Sequence, residues 1–241
     1  MDRSHFGQHS SSQFNEEMES IRSHLMEMGG MVEKQVIDAI QALLQADSAL
    51  ADRVLENEDR VDSLEKLIDS ECARVLALRQ PAASDLRMII SVTKCVSDLE
   101  RIGDEAAKVA KMSLELAEQG ESPRGYVEVR HIGNHVRSML GDALDAFARF
   151  DVQKAVDVAA EDNEVDLEYR SAMRALVTFM MEDPRSISRV LNIIWSLRAL
   201  ERIGDHAKNI AEQLIYLVKG KDVRHISVDE VARQADVTRN K

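Results

Sequence analysis

The sequence is short of residues that interrupt helices: three prolines and ten glycines in 241 positions. Aromatic residues make up only 4%, so the side chains that favour strands are scarce as well. The two cysteines, Cys72 and Cys95, fall in no C-x-x-C or zinc-type spacing and read as reduced, buried small hydrophobes. No apolar run has the length needed to span a bilayer. The opening Met1-Asp2-Arg3-Ser4-His5 lacks the apolar core of a secretory signal. Both absences predict a cytoplasmic protein with no direct membrane insertion. Basic residues are outnumbered, and the formal charge is -12. Such a field repels phosphate backbones and anionic lipid heads, which argues against nucleic-acid binding. A glycine-rich phosphate loop, H-E-x-x-H and G-x-S-x-G are all missing, and nothing resembles a nucleophile with its base.

What is present is helical periodicity. Phe14, Met18, Ile21, Leu25, Met28, Val32, Val36, Ile40 and Leu43 recur in steps of three and four, which predicts a helix to about Ala46. Asp47 is a suitable N-cap for a second helix running to Pro81. Ser84 caps a third, which fades near Gly120. The pattern restarts at Ser122-Pro123, again after Asp151, and again after Asp183-Pro184; Gly220 ends it. The reading is all-α: two tandem, similar three-helix bundles, six long antiparallel helices in all, with short irregular termini. The expected boundaries are a flexible tail at 1–12, bundles at 13–120 and 121–220, and a C-terminal tail at 221–241 with one turn of helix. A single continuous six-helix bundle is the rival arrangement.

The two bundles are copies. Leu99-Glu100-Arg101-Ile102-Gly103-Asp104 returns as Leu200-Glu201-Arg202-Ile203-Gly204-Asp205. A shift of 101 residues relates the third helices. A shift of 104 relates the earlier ones, carrying Gly29 onto Gly133, Asp47 onto Asp151 and Val61-Asp62 onto Val165-Asp166. The difference falls in a loop, where length is cheap to change.

The duplication exposes repeated chemistry. Glu100 and Asp104 stand one turn apart, as do Glu201 and Asp205; Glu58 with Asp62 and Asp162 with Asp166 form a second set on the preceding helices. Like charges at this spacing repel by about 0.2–0.5 kcal/mol, and a cation between them turns repulsion into coordination. An all-oxygen donor set suits Mg²⁺, Mn²⁺, Ca²⁺ or iron. The competing reading is a solvated face with local salt bridges, such as Asp104 to Lys108 or Arg101 to Glu105. Gly103 and Gly204, inside helices, cost about 0.8–1.0 kcal/mol each relative to Ala and predict close approach of a neighbouring backbone. His131 and His135 have no counterparts in the first copy and read as surface residues. Trp195 reads as core or bundle seam. A di-iron enzyme should carry Glu-x-x-His on facing helices, but glycine stands at the third position after Glu100 and Glu201.

Taken together, the twin segments, the acid-x-x-x-Asp pairs and the two-copy layout resemble the PhoU family of phosphate-transport accessory proteins over residues 14–219. That resemblance implies a pair of three-helix bundles forming a homodimer, with metal ions held on the carboxylate surfaces. The ligands would be Glu100, Asp104, Glu201 and Asp205, then Glu58, Asp62, Asp162 and Asp166. Asp98 adds a third acid in the first copy where the second has Ala199. The resemblance also implies regulation rather than catalysis. Such a protein links the phosphate ABC transporter ATPase to a sensor histidine kinase and restrains the phosphate-starvation response. The alternative is a metal-binding helical bundle with storage or hydrolase/oxidase activity.

Overall fold

The computed structural model describes residues 12–119 and 126–237. The expected tail before Ser12, the fading near Gly120 and the Ser122-Pro123 restart lie outside them. The described residues form eight α-helices and no strand. These are α1 (Ser12–Gln45), α2 (Ser48–Glu56), α3 (Glu58–Arg79), α4 (Ala83–Gln119), α5 (Tyr126–Arg149), α6 (Val152–Glu182), α7 (Ile187–Lys219) and α8 (Val228–Ala235), with a short 3₁₀ turn at Pro184–Ser186. No described helix is long and apolar enough to cross a membrane.

The expected caps at Asp47 and Asp151 form, whereas Ser84 lies inside α4 rather than ahead of it. The Asp47 carboxylate accepts from the Leu50 N–H at 3.0 Å, and Asp151 does the same for Lys154 at 3.1 Å. Gly220 closes α7 at φ 71, a left-handed conformation in which a Cβ is strained.

The helix expected from Asp47 to Pro81 is broken in two. At the joint, the Asn57 amide donates back to the Arg53 carbonyl at 3.0 Å, the local competition by which Asn interrupts helices. The second copy has Glu161 at the corresponding place and α6 runs through unbroken. The C-terminal segment also departs from expectation. Residues Val228–Ala235 make two turns of helix, capped by Ser227 and packed on α6, with Val223, Val231 and Ala235 buried.

One repeat consists of α1, α2–α3 and α4, the other of α5, α6 and α7, and one apolar core runs through both. They meet in two places. The largest contact is α4 against α7, and α1 crosses α5. At that crossing a Cβ on Gly29 would lie 2.7 Å from Leu144 Cδ2, and one on Gly133 would lie 3.1 Å from Ile40 Cγ2. The shift of 104 that takes Gly29 to Gly133 also takes Ile40 to Leu144. The contact is therefore reciprocal, as in a two-fold interface.

Gly103 and Gly204 behave differently. A Cβ on Gly103 would meet Gln35 Oε1 at 3.4 Å and Val61 at 3.8 Å; on Gly204 it would meet Val136 at 3.5 Å and Val165 at 3.6 Å. These are ordinary contacts with side chains, not the backbone approach expected from the sequence. Trp195 is a further correction: it is 56% exposed, on a face of α7 that also leaves Ile187 and Leu191 partly uncovered.

Candidate functional site: two carboxylate faces

Each repeat gathers carboxylates because each packs its second helix beside its third. In the first, α3 carries Glu58 and Asp62, and α4 carries Glu100 and Asp104. Burial pushes the Glu100 carboxyl above its ordinary value, and Asp104, Glu65 and Asp62 push it further. Glu65 is raised in the same way, by burial and then by Asp69, Asp62 and Asp104. Asp62, Glu65, Glu100 and Asp104 thus share one electrostatic neighbourhood. Glu58 stands one turn before Asp62, in the first turn of α3, and is not brought into this group by any contact among the described residues.

Glu65 and Asp69 were missed from sequence. They extend Glu58 and Asp62 into an acidic stripe at steps of four, three and four on one helix face. That spacing was the available signal. Comparison of the repeats hid it, because Tyr169 and Met173 occupy the matching places in the second copy.

In the second repeat, α6 brings Asp162 and Asp166 to Glu201 and Asp205 of α7. Glu201 is 7% exposed, and burial, then Asp205, with Asp166 and Asp162 adding to them, pushes its carboxyl up to about 7. Asp205 is raised by burial, Asp162 and Asp166. Here three of the four acids have cationic partners: Lys208 lies 2.7 Å from Asp162, Arg170 lies 3.0 Å from Asp166, and Arg198 bonds Glu201 Oε1. The first-copy residues at these places are Ala107, Lys66 and Ser97. Among the described residues, no ion pair reaches Glu58, Asp62, Glu65, Glu100 or Asp104.

The donor chemistry fits a hard or borderline cation, since every candidate ligand is a carboxylate oxygen. The buried Glu201 Oε2 has no hydrogen-bond partner, which leaves one oxygen of that carboxyl free to coordinate. As the side chains stand, no three of the described His, Cys, Asp and Glu residues form a group that could hold an ion. A cation would have to draw the carboxylates together.

Other residues singled out from sequence have different duties. Asp98 does not join the first face. It is buried and accepts hydrogen bonds from α7, lying 2.8 Å from His206 Nδ1 and 3.1 Å from Asn209 Nδ2; two residues along a helix turn a side chain to nearly the opposite side. The Arg101–Glu105 and Asp104–Lys108 bridges expected within α4 are replaced. Glu105 instead forms an ion pair with Arg202 of α7 at 3.0 Å and accepts from Lys108 at 2.9 Å. Asn192 reaches Glu115 at 3.0 Å, and Ser91 donates to the Gln213 carbonyl at 3.3 Å. This polar seam was not foreseen, although its members are polar residues interrupting apolar stripes. His131 is exposed as expected, but it shares Glu168 of α6 with the less exposed His135, at 3.2 and 3.3 Å.

Comparison with known proteins follows the same two-copy division. The PhoU domain model matches residues 25–113 and 129–214. The phosphate-specific transport system accessory protein PhoU homolog of Pseudomonas aeruginosa is 63% identical over 231 residues, covering 96% of each chain. The Escherichia coli K12 accessory protein PhoU is 47% identical, covering 96% of this chain and 95% of its own. The crystal structure of PhoU from Pseudomonas aeruginosa superposes with a TM-score of 0.85 at 65% identity, covering 86% of this chain and all of that one. The phosphate transport system regulatory protein PhoU from Streptococcus pneumoniae superposes with a TM-score of 0.80 at 31% identity, covering 87% of this chain and 99% of that one.

Proposed function

The chain belongs to the PhoU family, and from that premise we propose that it is a cytoplasmic regulator of phosphate uptake and a negative regulator of the phosphate-starvation response. It acts as an adaptor between the phosphate ABC transporter ATPase and a sensor histidine kinase. The observation that carries the transport role is near-complete alignment, at 63% identity, with a relative named phosphate-specific transport system accessory protein PhoU homolog. Long helices with exposed polar faces suit docking, because helix-on-helix contact is a common recognition mode. Nothing in this role requires turnover.

Deleting the gene tests the regulatory reading. Phosphate-starvation promoters should switch on in phosphate-rich medium, and the tagged protein should retain the transporter ATPase and the kinase on an affinity resin. Unchanged promoter activity in rich phosphate would defeat it. The homodimer implied by the family is checked by light scattering of the full chain, where a monomer mass across micromolar concentrations counts against it.

The two faces add a second element. Glu100, Asp104, Glu58 and Asp62 in one repeat, and Glu201, Asp205, Asp162 and Asp166 in the other, bind divalent or iron-type cations. Support comes from the all-oxygen donor set, the upward push on Glu100 and Glu201, and the unpartnered Glu201 Oε2. Elemental analysis of purified protein beside Glu100→Gln/Asp104→Asn and Glu201→Gln/Asp205→Asn variants tests it; equal metal content in all three would sink it. A storage role predicts metal binding with phosphate signalling untouched by those variants.

A further inference from the structure

The faces differ in what neutralises them, and the difference lies in residues outside the repeated motif. Lys208 holds Asp162 at 2.7 Å. The charges of Asp162, Glu212 and Asp205 all act on this ammonium. The cation is thus held among three carboxyl groups. Glu212 is itself buried. In the first repeat the matching positions are Ala107 and Lys111, so neither the ammonium nor its second carboxyl has a counterpart. Arg198 adds a guanidinium on Glu201 Oε1, where the first repeat has Ser97. Glu201 Oε2 stays open, buried and without a hydrogen-bond partner.

Resting on the cation reading of both faces, we infer that Lys208 is a tethered counter-ion of the second face. A divalent cation loads the first repeat freely and enters the second only by displacing the Lys208 ammonium from Asp162. The physical cause is direct competition. An ammonium already neutralises part of the negative charge that would attract an ion, and it repels an arriving dication a few ångströms away. The stem of Lys208 leaves it partly exposed, at 30%, so the ammonium has solvent to move into when displaced. The two faces are then a ready site and a latched one on a single scaffold.

Mn²⁺ is the probe, with free ion counted by electron paramagnetic resonance and Mg²⁺ as competitor. Wild-type protein should show a tighter class that vanishes in Glu100→Gln/Asp104→Asn and a weaker class that vanishes in Glu201→Gln/Asp205→Asn. Lys208→Met keeps the aliphatic stem and removes the charge; it should tighten the weaker class about tenfold, the scale of one partly screened charge contact. Lys208→Arg should leave that class weak. A thermal readout guards against misfolding: Mg²⁺ should raise the Tm of Lys208→Met more than that of wild type. Equal affinities in wild type, or a second face unmoved by Lys208→Met, would overturn the latch while leaving cation binding intact. No saturable Mn²⁺ binding to any variant would instead remove the cation reading itself, and the latch with it.

Discussion

At the α1–α5 crossing the repeats meet as near-copies. Gly29 receives Leu144, Gly133 receives Ile40, and one shift exchanges the two pairs. At the α4–α7 seam they meet as strangers. Asp98 faces His206 and Asn209, but Ala199 stands where a second Asp98 would be; Arg202 reaches Glu105, but Arg101 would find His206 at the matching place. The difference follows from the physics of the two contacts. Close-packed apolar surfaces are held by shape, and a change of one methylene is felt on both sides. A polar contact needs only one donor and one acceptor, so a duplicated pair can diverge provided each buried group keeps a partner.

The largest expected effect comes from removing the asymmetry. Asp98→Ala makes the seam match Ala199 in the other repeat, and it strands the His206 Nδ1 and Asn209 Nδ2 contacts in a buried site. The expected loss is about 2–3 kcal/mol in urea unfolding, from leaving buried polar groups unpaired. His206→Ala in the Asp98→Ala background should cost much less than His206→Ala alone, because contacting residues are not additive. A loss below about 0.5 kcal/mol for Asp98→Ala would mean the seam is held by its apolar neighbours.

Glycine replacement sharpens the comparison at the next scale down. Gly29→Ala and Gly133→Ala each force a methyl against Leu144 or Ile40, and overpacking of this kind costs about 1–3 kcal/mol. Helix propensity returns about 0.8–1.0 kcal/mol, leaving a net loss of about 1 kcal/mol for each. Gly204→Ala finds only ordinary contacts at 3.5 and 3.6 Å, so the propensity gain survives and the protein should gain about 0.5–1 kcal/mol. Reversed signs in chemical denaturation would show that the crossing has slack and that α7 has none.

These glycines show how far the sequence could be read. Periodicity and caps were legible because they are local: Asp47 and Asp151 bond a backbone N–H three residues on. The Asn57 break was not legible, since one interrupting side chain leaves the apolar spacing around it intact. The placing of acid pairs on adjoining second and third helices could be read from the duplication, which repeats only what both copies keep. The same filter concealed Glu65, Asp69 and Lys208, each present in one copy alone. Gly103 and Gly204 drew attention by recurrence, while the tight approach lies at Gly29 and Gly133, where the obstructing side chain comes from a helix about one hundred residues away. Trp195 reads as core or bundle seam from the sequence, but the side of a helix it occupies depends on neighbours that the local pattern does not name.

The smallest effect is a slope with pH. Glu201 and Glu212 are pushed up to about 7 by burial first, with nearby carboxyls adding to it. Both start from an ordinary value of 4.5. Between 4.5 and about 7 the folded protein holds protons that the unfolded chain has already released. Stability therefore falls as pH rises through that window and levels off above it. In Glu201→Gln/Glu212→Gln the slope of Tm against pH should flatten, whereas Glu100→Gln, in the more open face, should flatten it less. A divalent cation in the second face would favour the ionised form of Glu201 and oppose the fall. Wild-type Tm measured from pH 4.5 to 7 with and without Mg²⁺ checks the sign. A Tm that rises with pH in metal-free buffer would show that these two carboxyls are paired with cations strongly enough to overcome their burial, which would make the second face a salt-bridge network with no appetite for an external ion.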